Sequence, residues 1–129
     1  MKMEAGVYVK NSIEAVEFYQ KVFGLTLGES YKLPDGNYMH APLLKNGVEL
    51  FSVCEMQNDD MVELMLKSSL QSRPTMSYGI RFDNAEEAKK AYEMLIEGGA
   101  VLFPLGPLPW SECAADVVDK FGVYWYLTV

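Results

Sequence analysis

The chain has 129 residues, half of them hydrophobic and 22% charged, with a formal net charge of -7. That composition excludes disorder and is ample for one domain with a self-sufficient core. The acidic balance argues against a nucleic-acid backbone or an anionic membrane surface as partner.

The N-terminal segment MKMEAGVYVK lacks the apolar stretch of a signal peptide, and no later run approaches a membrane span, so a cytoplasmic protein is expected. Residues 5–9 read as a short strand. Asn11 or Ser12 then serves as N-cap of a helix, and Glu14 stands at capping-box distance from Asn11. Ile13, Val16, Phe18, Tyr19, Val22 and Phe23 give that helix one apolar face, and Gly24 ends it because glycine enters the left-handed conformation cheaply. Three strand-like stretches follow at 25–33, 38–44 and 48–54, with turns at 34–37 and at Asn46-Gly47.

Residues 55–73 read as a linker with a helical turn around 59–67. The same grammar then repeats. A strand over 78–82 leads to Asn84 as N-cap, with Glu87 three residues on. Ala88, Ala91, Tyr92, Leu95 and Ile96 form a helical stripe, and Gly98-Gly99 stops it. Setting Asn11 on Asn84 also aligns Val9 with Phe82, Ala15 with Ala88, Tyr19 with Tyr92 and Val22 with Leu95, all at an offset of 73 residues. A capped helix with a glycine stop, written twice in one register, points to internal duplication. Strands are expected at 100–103, 112–118 and 123–128, with a turn at 119–122. The stretch 104–110 is too rich in proline for a central strand. Cys54 and Cys113 are far apart and imply neither a disulfide framework nor a zinc site.

Several segments carry a family likeness: EAVEFYQKVFG at 14–24, Met39-His40-Ala41, Gly98-Gly99-Ala100-Val101, Pro104-Leu105, Trp110, and DKFGVYW at 119–125. In this order and spacing the chain resembles the vicinal oxygen chelate superfamily of glyoxalase I, extradiol dioxygenases and bleomycin-resistance proteins, and within it the PhnB-like group. The resemblance implies an α+β fold in which two tandem βαβββ modules, at about 1–66 and 74–129, curl a mixed sheet around a shared cavity. It also implies a homodimer. The fold alone does not define an activity.

Family enzymes commonly hold one divalent metal with four side chains, mostly histidine and glutamate. The resemblance places Glu4, Glu49, Ser77 and Tyr126 at those four positions. Two carboxylates, a serine and a tyrosine make a poor set for metals that favour imidazole nitrogen, and His40 is the sole histidine. No cofactor is therefore expected. His40 is a weak candidate for acid–base or ligand-binding work. Tyr38, His40, Phe51, Trp110, Trp125 and Tyr126 are the expected lining of an apolar pocket with polar tips. In alternating strands Tyr38 and His40 share one face, Tyr124 and Tyr126 share another, and Trp125 points opposite the latter pair. Met39, Met56, Met61, Met65, Met76 and Met94 add pliable surface. Of the two arginines, Arg73 and Arg81, the second sits in a strand, where it either binds an anionic substrate group or faces water, the latter being the favoured reading. These residues favour metal-free binding of a small hydrophobic or aromatic molecule. The alternative is a divalent-metal-dependent lyase, isomerase or dioxygenase-type enzyme, or a metal-free one using His40.

Overall fold

The computed structural model describes residues 1–60, 63–64, 66–67 and 74–129. Of the expected linker, Met61, Met65 and Arg73 lie outside them, while 59–60, 63–64 and 66–67 are helical. The chain divides into two compact units, Met1–Val62 and Glu63–Val129. The first contains β1 (Gly6–Val9), α1 (Ser12–Phe23), β2 (Thr26–Leu27), β3 (Tyr31–Lys32), β4 (Tyr38–Lys45) and β5 (Val48–Glu55). The second contains β6 (Tyr78–Arg81), α2 (Ala85–Leu95), β7 (Ala100–Leu108), β8 (Ser111–Val118) and β9 (Tyr124–Thr128).

Both units are wound alike. The sheet orders are β1-β5-β4-β2, with β3 also on β4, and β6-β9-β8-β7. In each, the first strand runs parallel to the last, and the remaining pairs are antiparallel. The pair Val7↔Val53 in one unit answers Ile80↔Leu127 in the other. Ile80 follows Val7 by the expected 73 residues, whereas Leu127 follows Val53 by 74, so the last strand is displaced by one residue from the helix register.

Two strands differ from expectation. The 25–33 stretch is broken at Gly28, where a Cβ would meet Leu44 Cδ1 at 2.6 Å, so β4 crowds that point. Conversely, β7 runs on through Pro104 and Pro107 to Leu108. It is an outer strand of its sheet, and its pairing with β8 slips at three places, which is where proline is tolerated.

Each helix covers one face of its own sheet. Ala15, Val16, Tyr19, Val22 and Phe23 of α1 are buried together with Val7, Val9, Ala41, Leu43, Phe51 and Val53. Tyr19 and Phe51 meet edge-on with centroids 5.6 Å apart. In the second unit α2 turns Ala88, Ala91 and Leu95 inward, and Ala115, Val117, Trp125 and Leu127 are fully buried. The two alanines leave room beneath the helix, and Tyr78 packs on Trp125 with centroids 5.6 Å apart.

The helix caps diverge. Asn84 Oδ1 accepts from Glu87 N at 2.9 Å, as the sequence predicts. Asn11 makes no such bond, because its backbone is left-handed at φ 60. Instead the carboxylate of Glu55, at the end of β5, accepts from Asn11 N at 3.1 Å and Ser12 N at 3.2 Å. The Asn11–Glu14 capping box is thus replaced by a tertiary cap.

Candidate functional site

Alternation along the strands leaves each sheet a face turned away from its helix. In the first unit that face carries Tyr8, His40, Ser52 and Cys54. Tyr8 lies in register with Cys54, and the Cys54 thiol is 3.9 Å from His40 Nδ1. Burial pushes the Cys54 thiol up from its ordinary value, and a hydrogen bond with the Ser52 hydroxyl pulls partly back. A protonated thiol beside an exposed imidazole is a poor nucleophile at neutral pH.

In the second unit the corresponding face carries Gly79, Arg81, Asp116, Tyr126 and Thr128. Gly79 is in register with Tyr126, Arg81 with Thr128, and Asp116 with Tyr126. Trp110, in the turn between β7 and β8, donates its indole N–H to the Tyr126 hydroxyl at 2.6 Å. Trp110 nevertheless remains 66% exposed. Ala114 and Thr128, in register with each other between that turn and Arg81, are small and buried. The result is an aromatic pair on a shallow floor, with a guanidinium on one side and a carboxylate on the other.

The expected lining residues fall into three groups. Trp110 and Tyr126 meet on the open face of the second unit. Tyr38 and His40 lie on β4 of the first unit, Tyr38 buried with Lys32 Nζ 5.3 Å from its ring centroid and His40 exposed near Cys54. Phe51 and Trp125 belong instead to the helix-covered cores, at 2% and 0% exposure. For these two the expectation is corrected by strand parity: they alternate with Ser52 and Tyr126, which take the open faces.

The family's metal positions do not gather a suitable donor set. Glu4 precedes β1, is exposed and sits 3.9 Å from Lys2 Nζ. Glu49 is exposed at a bulge opposite Leu44. Ser77 and Tyr126 offer neutral oxygens, and that of Tyr126 already accepts from Trp110. Register also corrects one position: Gly6↔Ser52 answers Gly79↔Tyr126, so the counterpart of Tyr126 is Ser52 rather than Glu49. Among the described residues no group of three or more His, Cys, Asp or Glu is placed to hold a metal. The residues therefore do not fit the divalent ion of the family's enzymes.

Two further features were not legible in the sequence. Asp119 is fully buried; its Oδ1 accepts from Phe121 N and Val123 N, and its Oδ2 from Trp125 Nε1 at 2.7 Å. A hollow of about 290 Å³ lies beside the start of α1, lined by Lys10, Leu33, Pro34, Asp35, Glu55, Met56 and Gln57. Its charges are largely engaged: Lys10 with Asp59 at 2.6 Å and Glu55 with the helix start. Among the described residues no helix is long and apolar enough to cross a membrane.

A family model described as the Glyoxalase/Bleomycin resistance protein/Dioxygenase superfamily matches residues 4–127. A protein of Mycobacterium bovis is 30% identical over 124 residues, 92% of this chain and 76% of that protein. The solved structure of a PhnB protein from Bacillus cereus is 25% identical, covers 99% of this chain and 98% of that one, and superposes with a TM-score of 0.76. A Pseudomonas aeruginosa protein of 23% identity, covering 99% of this chain and 96% of its own, gives 0.75.

Proposed function

Since the chain belongs to the glyoxalase/bleomycin resistance protein/dioxygenase superfamily and resembles its PhnB-like members, we propose that it is a metal-free binder of a small hydrophobic or aromatic molecule. The observation that carries this reading is the Trp110–Tyr126 pair. A free exposed indole samples many rotamers, and ordering one on binding costs about 0.5–1.5 kcal/mol. Here the 2.6 Å bond to Tyr126 meets part of that cost in advance and leaves the ring surface bare. Flat apolar ligands gain most from such a platform. The poor donor set at the family's metal positions supports binding over metal-dependent lyase, isomerase or dioxygenase chemistry. The homodimer common in the family and a cytoplasmic location complete the proposal.

Intrinsic fluorescence tests it directly. The chain has two tryptophans, and only Trp110 is exposed, Trp125 being fully buried. Titration with a panel of small aromatic compounds is expected to alter Trp110 emission saturably and to raise the melting temperature. The rise in melting temperature should disappear in W110A. A panel that changes neither, or a stoichiometric divalent metal whose removal lowers the melting temperature, would reverse the reading.

A further inference from the structure

The open face of the second unit is polar in a directional way. Arg81 lies on β6 in register with Thr128, diagonal to Tyr126. Its strand neighbour on this face is Gly79, which has no side chain to crowd it. A Cβ there would come 4.0 Å from Tyr126 Cδ1, so no side chain of β6 stands between that edge of the tyrosine ring and the strand that carries Arg81. Arg81 is exposed and forms no ion pair among the described residues. Asp116 stands on the other side, on β8, with β9 between the two strands. Asp116 is in register with Tyr126 and Arg81 with Thr128, so the two residues stand two strands and two positions apart, roughly 12 Å between their Cα atoms. An anion set over the floor of Ala114 and Thr128 is attracted toward the exposed Arg81.

We propose that the ligand of this face is an anion with a flat aromatic body, its charged group held by Arg81 and its ring laid against Trp110 and Tyr126. The assignment rests on the binding role proposed above and adds the class of ligand. The guanidinium fork matches the paired oxygens of a carboxylate, sulfonate or phosphonate, whereas a lysine ammonium would act only as a point charge. Trp110 and Tyr126 supply the apolar surface, and the order guanidinium, tyrosine, indole sets the ligand's direction across β9. A neutral aromatic compound would leave Arg81 unused.

Two naphthalene dyes of similar shape separate the contributions: anionic 8-anilinonaphthalene-1-sulfonate and uncharged N-phenyl-1-naphthylamine. With the full chain, R81Q is expected to weaken the sulfonate dye by about three- to tenfold, the span of one charge-assisted contact at a solvated site, and the neutral dye by less than twofold. R81K should fall between wild type and R81Q for the sulfonate. Benzoate or phenylphosphonate should displace the sulfonate dye where benzyl alcohol does not, and the stronger of the two distinguishes carboxylate from phosphonate recognition. Binding of both dyes with no selective effect of R81Q, or equal displacement by benzyl alcohol, overturns the anion assignment while the binding role stands. Failure of both dyes to bind, with Trp110 emission unmoved, overturns both.

Discussion

The indole N–H of Trp110 points at the hydroxyl of Tyr126, 2.6 Å away, so a turn between β7 and β8 is tied to the sheet two strands away from β7. Removing the acceptor should free the indole without unfolding anything. Y126F is expected to change stability by no more than about 1 kcal/mol, because the bond is solvent-exposed. Acrylamide should quench Trp110 more efficiently in Y126F, and small aromatic ligands should bind more weakly. Unchanged quenching would show that the bond does not hold the ring.

The turn at 119–122 makes a stronger claim. Its sequence reads as an ordinary turn, yet Asp119 is fully buried and gathers three N–H donors, one from the indole of Trp125. Loss of the carboxylate strands those donors in a dry environment. D119A is expected to cost about 3 kcal/mol or more, and D119N less, since one amide oxygen still accepts. Urea unfolding measures both. A D119A cost under about 1 kcal/mol would mean that water replaces the carboxylate.

How much of this was readable beforehand follows from what each signal reports. The helices and the Asn84 cap are local properties and stand in the structure, and the 73-residue offset relates the two helices and their preceding strands while β9 slips by one. The strands of the first half were placed to within a residue or two, except where β4 crowds Gly28. Pro104 and Pro107 suggested a loop because a sequence does not say which strand will be outermost. The same limit governs the site. Trp110 and Tyr126 carried a signal through their residue types, but Phe51 has that signal too and is core. Parity already set Trp125 opposite Tyr126, and the buried Asp119 contact explains where its ring goes. The one-residue displacement of β9, which makes Ser52 and not Glu49 the partner position of Tyr126, depends on pairing across the sheet.

Cys54 gives a pH-dependent expectation. Burial raises its titration in the folded chain, so the folded state keeps a proton that the unfolded state releases near its ordinary value of about 8.5. Stability from this group is therefore fully present below that pH and falls as pH rises from there through the folded value. C54A should flatten the decline that begins above the ordinary thiol value. Iodoacetamide should label Cys54 in the native chain more slowly than free cysteine at pH 8. Labelling as fast as the free thiol would mean that the side chain is neither buried nor held protonated.

The divergent caps supply the last expectation, because they are two solutions to one problem in a duplicated helix. Each helix start exposes N–H groups that need acceptors. At α2 a local side chain provides one, Asn84 Oδ1 to Glu87 N, and its loss in N84A should cost about 1 kcal/mol. At α1 the acceptor is Glu55, more than 40 residues away in sequence, and it serves two donors at once. Ser12, released from capping by its own side chain, lends its hydroxyl to Tyr38 N on β4 at 2.8 Å. The carboxylate also places negative charge at the positive end of the helix. E55A should therefore cost more than N84A, about 2–3 kcal/mol, while E55Q keeps one acceptor and loses the charge, giving an intermediate value. Native-state hydrogen exchange supplies the independent readout: E55A should speed exchange at Ser12 N and at Tyr38 N across the β4 boundary, whereas N84A should affect only the first turn of α2. An E55A variant whose cost and exchange pattern match those of N84A would show that the long-range cap is no more than a local one.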